Sequence, residues 1–293
     1  MRTAVVLMAY GSPDRPEDIP AYLKDIRGGR PVSETLVSAL VERYRRIGGS
    51  PLNEITERQR AALERELGLP VYVGMKHWQP RIPEAIEQTL AAGAERIVGL
   101  VLAPHYSRIS IGGYRALLEG ALADRAELVF VESWHDHQPF IDVVADRLRG
   151  TDAHVIFTAH SLPARILAEG DPYRDELLET ARLAAEASGL DSWSIAFQSE
   201  SPIGEPWLEP HVLAQLERLR GDGVENVLLA PVGFVSDHLE ILWDLDIEAR
   251  AKAAELGLSF ERMQSLNDDP AFIGALAALV RQVSGHPSRI GAR

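Results

Sequence analysis

Four carboxylates recur in the stretch "SDHLEILWDLDIEAR": Asp237, Glu240, Asp244 and Glu248. On a helix turning about 100° per residue they fall within an arc of about 80°. Like charges four apart repel, destabilising a helix by about a few tenths of a kcal/mol per pair. Local structure accounts for part of the pattern. Asp237 at an N-cap with Glu240 three residues on would make an acidic capping box at the helix's positive end. Glu248 could pair with Lys252 one turn later. Neither explains Asp244 or the alignment of all four. A column of hard oxygen ligands suits a hydrated divalent cation that is held loosely and moves on. His238 lies about 160° from Glu240 on the same wheel and reads as structural.

His160, in "FTAHSLP", follows an apolar run directly. A neutral imidazole there can bind a metal or take a proton, although a lone histidine after a strand is more often an ordinary hydrogen-bonded residue. "GMKHWQP" (74–80) and the ring-rich "APHYSRISIGGY" (103–114) also follow apolar runs, where simple loop packing would explain them equally well. No P-loop, G-x-G-x-x-G or G-x-S-x-G stretch is present, so neither nucleotide binding nor a serine triad has support.

Elements must position these residues. Strand-like runs occur at 3–9, 70–75, 96–103, 127–132, 154–159, 192–197 and 226–234, mostly separated by helical patterns. Continuous apolar strands alternating with helices indicate parallel sheets covered on both faces. The chain also repeats itself. "VVLMAYGSP" (5–13) parallels "VIFTAHSLP" (155–163), "VYVGMK" (71–76) parallels "SIAFQS" (194–199), and "RIVGLVLAPHYS" (96–107) parallels "ENVLLAPVGFVS" (225–236). Three pairs in one order predict an α/β protein of two similar doubly wound, Rossmann-like parallel-sheet domains, 1–150 and 151–293. Ligands bind outside the carboxyl ends of such strands. Tyr10 and His160 occupy matching strand ends, so they are expected on opposite walls of a central cleft.

Composition narrows the function further. A net charge of −13 over 293 residues argues against nucleic acid or an anionic membrane surface as partner. Six basic residues between Lys24 and Arg46 break that pattern. They suit either a solvated helix face or a seat for an anionic small molecule. The chain has no cysteine, which excludes disulfides, zinc–thiolate sites and cysteine-ligated iron–sulfur clusters. The first apolar run, Ala4 to Ala9, is too short for an export signal. No stretch reaches the 18 or so apolar residues of a membrane span. A cytoplasmic location is expected.

"FTAHSLP" and "PVGFVSDHLEILWDLDIE" resemble the two signature stretches of the ferrochelatases, which insert ferrous iron into a porphyrin. The likeness extends through "MAYGSP", "DIRGGRP", "ERYRRIGGSPL", "GMKHWQP", "LAPHYS", "VESWHD", "GDPY" and "FQSESP", in the family's order. The resemblance implies a chelatase-like fold. His160 and Glu240 match the pair that contacts iron and handles protons, and Tyr10 the residue on the other porphyrin face that can ligate iron in the product. Arg27, Arg43, Tyr44, Ser50 and Tyr114 match porphyrin-contacting positions, and Asp244 and Glu248 the outer acids that pass metal inward. "MAYGSP" resembles the branch of the family that uses coproporphyrin III, whose four propionates suit the basic segment. The alternatives are protoporphyrin IX as substrate, a cobalt or iron chelatase of sirohydrochlorin, and a non-catalytic haem carrier. Fe2+ is expected as substrate, with no cofactor and no iron–sulfur cluster, and other haem-pathway enzymes are expected as transient partners. One departure stands out: Gly28 lies where the family often carries a further arginine, which removes one propionate contact.

Overall fold

The computed structural model describes residues 1–200 and 204–285. Eight strands form: β1 (Thr3–Ala9), β2 (Val71–Met75), β3 (Arg96–Val101), β4 (Glu127–Val131), β5 (His154–His160), β6 (Trp193–Gln198), β7 (Asn226–Ala230) and β8 (Ser259–Arg262). They build two parallel four-stranded sheets, ordered β2-β1-β3-β4 and β6-β5-β7-β8, with helices on their flanks. The sheets share one topology, and each repeat seen in the sequence maps strand onto corresponding strand. β1 is buried along its whole length, as expected of an inner strand covered on both faces.

Two compact units result. Among the described residues, the first comprises 1–103, 108–134 and 267–285; the second comprises 104–107, 135–200 and 204–266. This division departs from a single cut near residue 150, for two packing reasons. The helix Gln138–Leu148 packs on Tyr173–Ser188 within the second unit. The final helix, Pro270–Ser284, packs on Leu52–Leu67 of the first, burying Phe272, Ile273, Leu276 and Val280. That return is pinned by Gln59 donating to the Asn267 carbonyl at 2.8 Å and Arg281 to Glu66 Oε1 at 3.0 Å.

β8 was not anticipated. It has four residues, lies at a sheet edge and carries two charges, so it lacks the apolar run that marks the other strands. β7 stops at Ala230, four residues before its apolar run ends. The stretch after it supplies the larger surprise: Ile241–Ala249 is a π-helix, continued by the α-helix Arg250–Leu256. π-Helices are rare, usually a single turn, and concentrated at functional sites. Among the described residues no helix is long and apolar enough to cross a membrane.

Candidate active site

His160 is the last residue of β5. Its Nδ1 bonds the Ser161 carbonyl, and its own carbonyl accepts from the Tyr173 hydroxyl at 2.9 Å. The rings of Trp207 and Phe234 stand 6.4 and 6.2 Å away. With Nδ1 committed, Nε2 points to Glu240, 3.6 Å from Oε1.

Eighty residues separate His160 from Glu240, and the turn after β7 brings them together. Gly233 donates its backbone N–H to the Thr158 carbonyl at 3.0 Å. A Cβ there would lie 2.4 Å from Ala159 Cβ, so only glycine lets this turn press against the end of β5. Gln198 then links both sides. Its amide donates to the Glu240 carbonyl at 3.4 Å and its Oε1 accepts from Thr158 at 2.9 Å.

The structure corrects the reading of His238. This residue precedes the helix, so a helical wheel does not describe it. Its Nδ1 donates to the Ser236 carbonyl at 2.9 Å, and Nε2 lies 3.7 Å from Glu240 Oε2. Glu240 therefore lies between two imidazoles. Its Oε2 is buried and lacks a hydrogen-bond partner within reach, a costly state for a carboxylate oxygen unless something else comes to it.

Electrostatics follow from this geometry. Burial pulls the His160 imidazolium down, but the Glu240 charge beside it and the Ser161 carbonyl outweigh burial and raise its pKa to about 9. For Glu240, burial favours the neutral acid, and the charges of His160 and His238 then overcome it, holding the carboxyl well below its ordinary range. At neutral pH the pair is an imidazolium–carboxylate, and a cation binding there must displace the histidine's proton.

The other three acids have partners of different kinds. Asp237 does not cap the helix; it accepts from Ser265 Oγ at 2.7 Å and pairs with Arg262 at 3.3 Å. Asp244 is buried and accepts from the Ser199 hydroxyl. Glu248 accepts the Trp243 indole N–H at 2.6 Å, and Lys252 pairs with Glu217 and Glu255 instead. Among the described residues no three His, Asp or Glu side chains form a closed metal cage.

In the first unit, Tyr10 directly follows β1, at the sequence position matching His160. It is 41% exposed, with its ring 4.6 Å from that of His77. His77 in turn bonds Asp25, which also takes Arg81. Arg27 is exposed just past the helix Ile19–Ile26, and Arg43 lies half-buried in the helix Glu34–Ile47. Tyr44 is buried with its hydroxyl 2.8 Å from Ser12 Oγ. Tyr114 is buried under the Lys76 ammonium, 4.7 Å from the ring centre. Ser50 Oγ is buried without a hydrogen-bond partner. Sequence reading passed over Trp207, Phe234, Tyr173 and Ser199. Their only signal lay in stretches such as "GDPY" and "FQSESP", which mark no chemistry by residue type.

Comparison with known proteins agrees with this architecture. SirB from Bacillus subtilis, solved with Fe3+, superposes with a TM-score of 0.64 at 11% identity, covering 97% of this chain and 96% of that one. Twin parallel units of this topology thus define the class: a chelatase-type α/β fold. The ferrochelatase family model matches residues 2–284. A ferrochelatase of Herpetosiphon aurantiacus is 44% identical, covering 95% of this chain and 98% of its own. A coproporphyrin III ferrochelatase of Halalkalibacterium halodurans is 39% identical, covering 96% and 97%. The chain belongs to the ferrochelatase family, lyases that insert iron into a porphyrin.

Proposed function

We propose that this enzyme inserts Fe2+ into coproporphyrin III, with His160 and Glu240 as the residues that meet the metal and handle the pyrrole protons. The observation that carries the reading is the half-buried His160–Glu240 ion pair, 3.6 Å apart, with a second carboxylate oxygen that makes no hydrogen bond and lies 3.7 Å from His238. Insertion releases two pyrrole protons for each Fe2+ that enters. A dication arriving at Glu240 would take over as counter-ion, so His160 would give its proton to solvent and become a base that takes the two pyrrole protons one after the other, passing each to solvent. Fe2+ is then a substrate, and the reaction calls for no resident cofactor.

Tyr10 would ligate iron in the product. Arg27 and Arg43 would hold propionates through charge-assisted bonds, with Tyr44, Ser50 and Tyr114 lining the porphyrin site. Asp244 and Glu248 would feed the metal toward Glu240. Coproporphyrin III is favoured over protoporphyrin IX by Tyr10 in "MAYGSP", by the basic segment from Lys24 to Arg46, and by the likeness to enzymes named for that substrate. Absorbance traces with Fe2+ and each porphyrin in turn test the assignment. Faster metallation of coproporphyrin III is expected; faster metallation of protoporphyrin IX would reverse it.

A further inference from the structure

Arg262 touches neither His160 nor Glu240, yet it grips the chain on both sides of Glu240. Its side chain is 11% exposed. Nε and Nη2 donate to the two oxygens of Asp246, in the π-helix, at 2.8 and 2.9 Å. Nη1 donates to the Met263 carbonyl at 3.1 Å and lies 3.3 Å from Asp237 Oδ1, before the helix. Ser265 donates to the same Asp237 oxygen at 2.7 Å. Arg262 is itself held at the end of β8, where it pairs in register with Leu229 of β7. A rigid fork on a sheet strand thus fastens residues 237 and 246, with Glu240 and His238 between them.

A nine-residue π segment needs such a tether, because π turns are seldom stable on their own. Arg250 N–H still reaches the Leu245 carbonyl five residues back, whereas Leu242 N–H reaches His238 four back. The segment therefore borders on α geometry at its start. Reversion to α would rotate residues four apart by about 70° relative to one another and turn Glu240 away from His160.

We propose that Arg262 is a positioning residue for iron insertion: its bidentate grip on Asp246, with Asp237, holds the π-helix in register and so keeps Glu240 against His160. The proposal rests on the role given to Glu240. A bidentate fork is something lysine cannot reproduce, while lysine preserves charge and much of the volume.

The test is Arg262→Lys, with Asp246→Asn, their double variant and Glu240→Gln, assayed with Fe2+ and coproporphyrin III. Arg262→Lys should lower kcat by about tenfold or more, the scale of a misplaced catalytic group, with the porphyrin KM unchanged. Asp246→Asn should do the same, and the double variant should lose no more than either single. Amide hydrogen exchange should quicken at 241–249 and stay as in the parent across β5, β6 and β7. A kcat within twofold of the parent for Arg262→Lys would overturn the proposal while Glu240→Gln is inactive. So would faster exchange throughout the second unit, which marks a purely structural arginine. An active Glu240→Gln would instead overturn the reading of Glu240.

Discussion

The helix between the third and fourth strands of each unit occupies the same topological slot, yet the two differ in kind. In the first unit it is the α-helix Ile111–Leu122, which buries Ile111, Tyr114, Leu118 and Leu122. In the second it is the π-helix Ile241–Ala249 running into an α-helix, burying Ile241, Trp243, Asp244, Leu245, Ala249 and Ala253. The first set mixes spacings of three and four, which average to an α period. In the second, Ile241, Leu245, Ala249 and Ala253 recur every four residues, as do the acids one residue earlier, Glu240, Asp244 and Glu248, while Trp243 and Asp244 widen the buried face. On an α-helix a strict period of four drifts by about 40° per step. A π turn holds about 4.4 residues, so the same period drifts the other way, by about 30° per step, and the buried face widens to take in Trp243 and Asp244. The difference teaches that a repeated topology can be kept while a single helix is rewound.

The sharpest way to break this comparison is at the two matching strand ends. His160→Ala and Glu240→Gln should each lower kcat by about 100-fold or more, the scale of a lost acid–base group. Tyr10→Phe, at the equivalent position of the first unit, should cost less than about tenfold. Steady-state metallation rates decide it, and equal losses at Tyr10 and His160 would remove the functional asymmetry.

Glycines offer a second contrast. Gly233→Ala drives a Cβ into Ala159 and should destabilise the protein by about 1–3 kcal/mol, the range for overpacking. Gly120→Ala, on the exposed face of the first unit's α-helix with open space around it, should stabilise by about 0.5–1 kcal/mol. Urea titrations of both variants check the opposite signs.

The ion pair predicts a pH effect confined to the second unit. His160 has a folded pKa of about 9, raised above its ordinary value. Its contribution is complete below about pH 6.5 and is lost as pH rises through about 9. Glu240 is shifted down, so its contribution holds above the ordinary carboxylate range and disappears as pH falls below it. The side chains are 31% and 32% exposed, so solvent screening reduces the effect to about 1–2 kcal/mol. Unfolding curves should show the parent losing this amount between pH 6.5 and 9 relative to His160→Gln; parallel curves would contradict the pairing.

The smallest expected change in rate belongs to the outer acids. Asp244→Asn with Glu248→Gln should raise the KM for Fe2+ several-fold and leave the rate at saturating iron within about twofold, the pattern of lost uniform binding. A large fall in the saturated rate would move these residues into the chemical step and extend the acidic column's role beyond delivery.

Much of this was legible in the residues themselves. Seven of the eight strands are apolar runs, and the order of three repeated motifs announced two sheets of one topology. His160 and Glu240 were singled out as candidates by type, position and family resemblance, and the structure brings them within 3.6 Å. The π-helix was not legible: the period of four at 240/244/248 and 241/245/249 fits neither an α nor a π turn better than the other. Partnerships were not legible. Asp237 resembled a cap and is held by Arg262; His238 looked turned away and lies against Glu240; Glu248 had a lysine one turn on and chose Trp243. Local sequence determines which backbone each stretch prefers and which faces must be buried, because propensity and periodicity act over a few residues. Only the tertiary structure decides which of several suitable donors reaches a given carboxylate, because that depends on contacts such as Gly233 against Ala159, made across some 70 residues of chain.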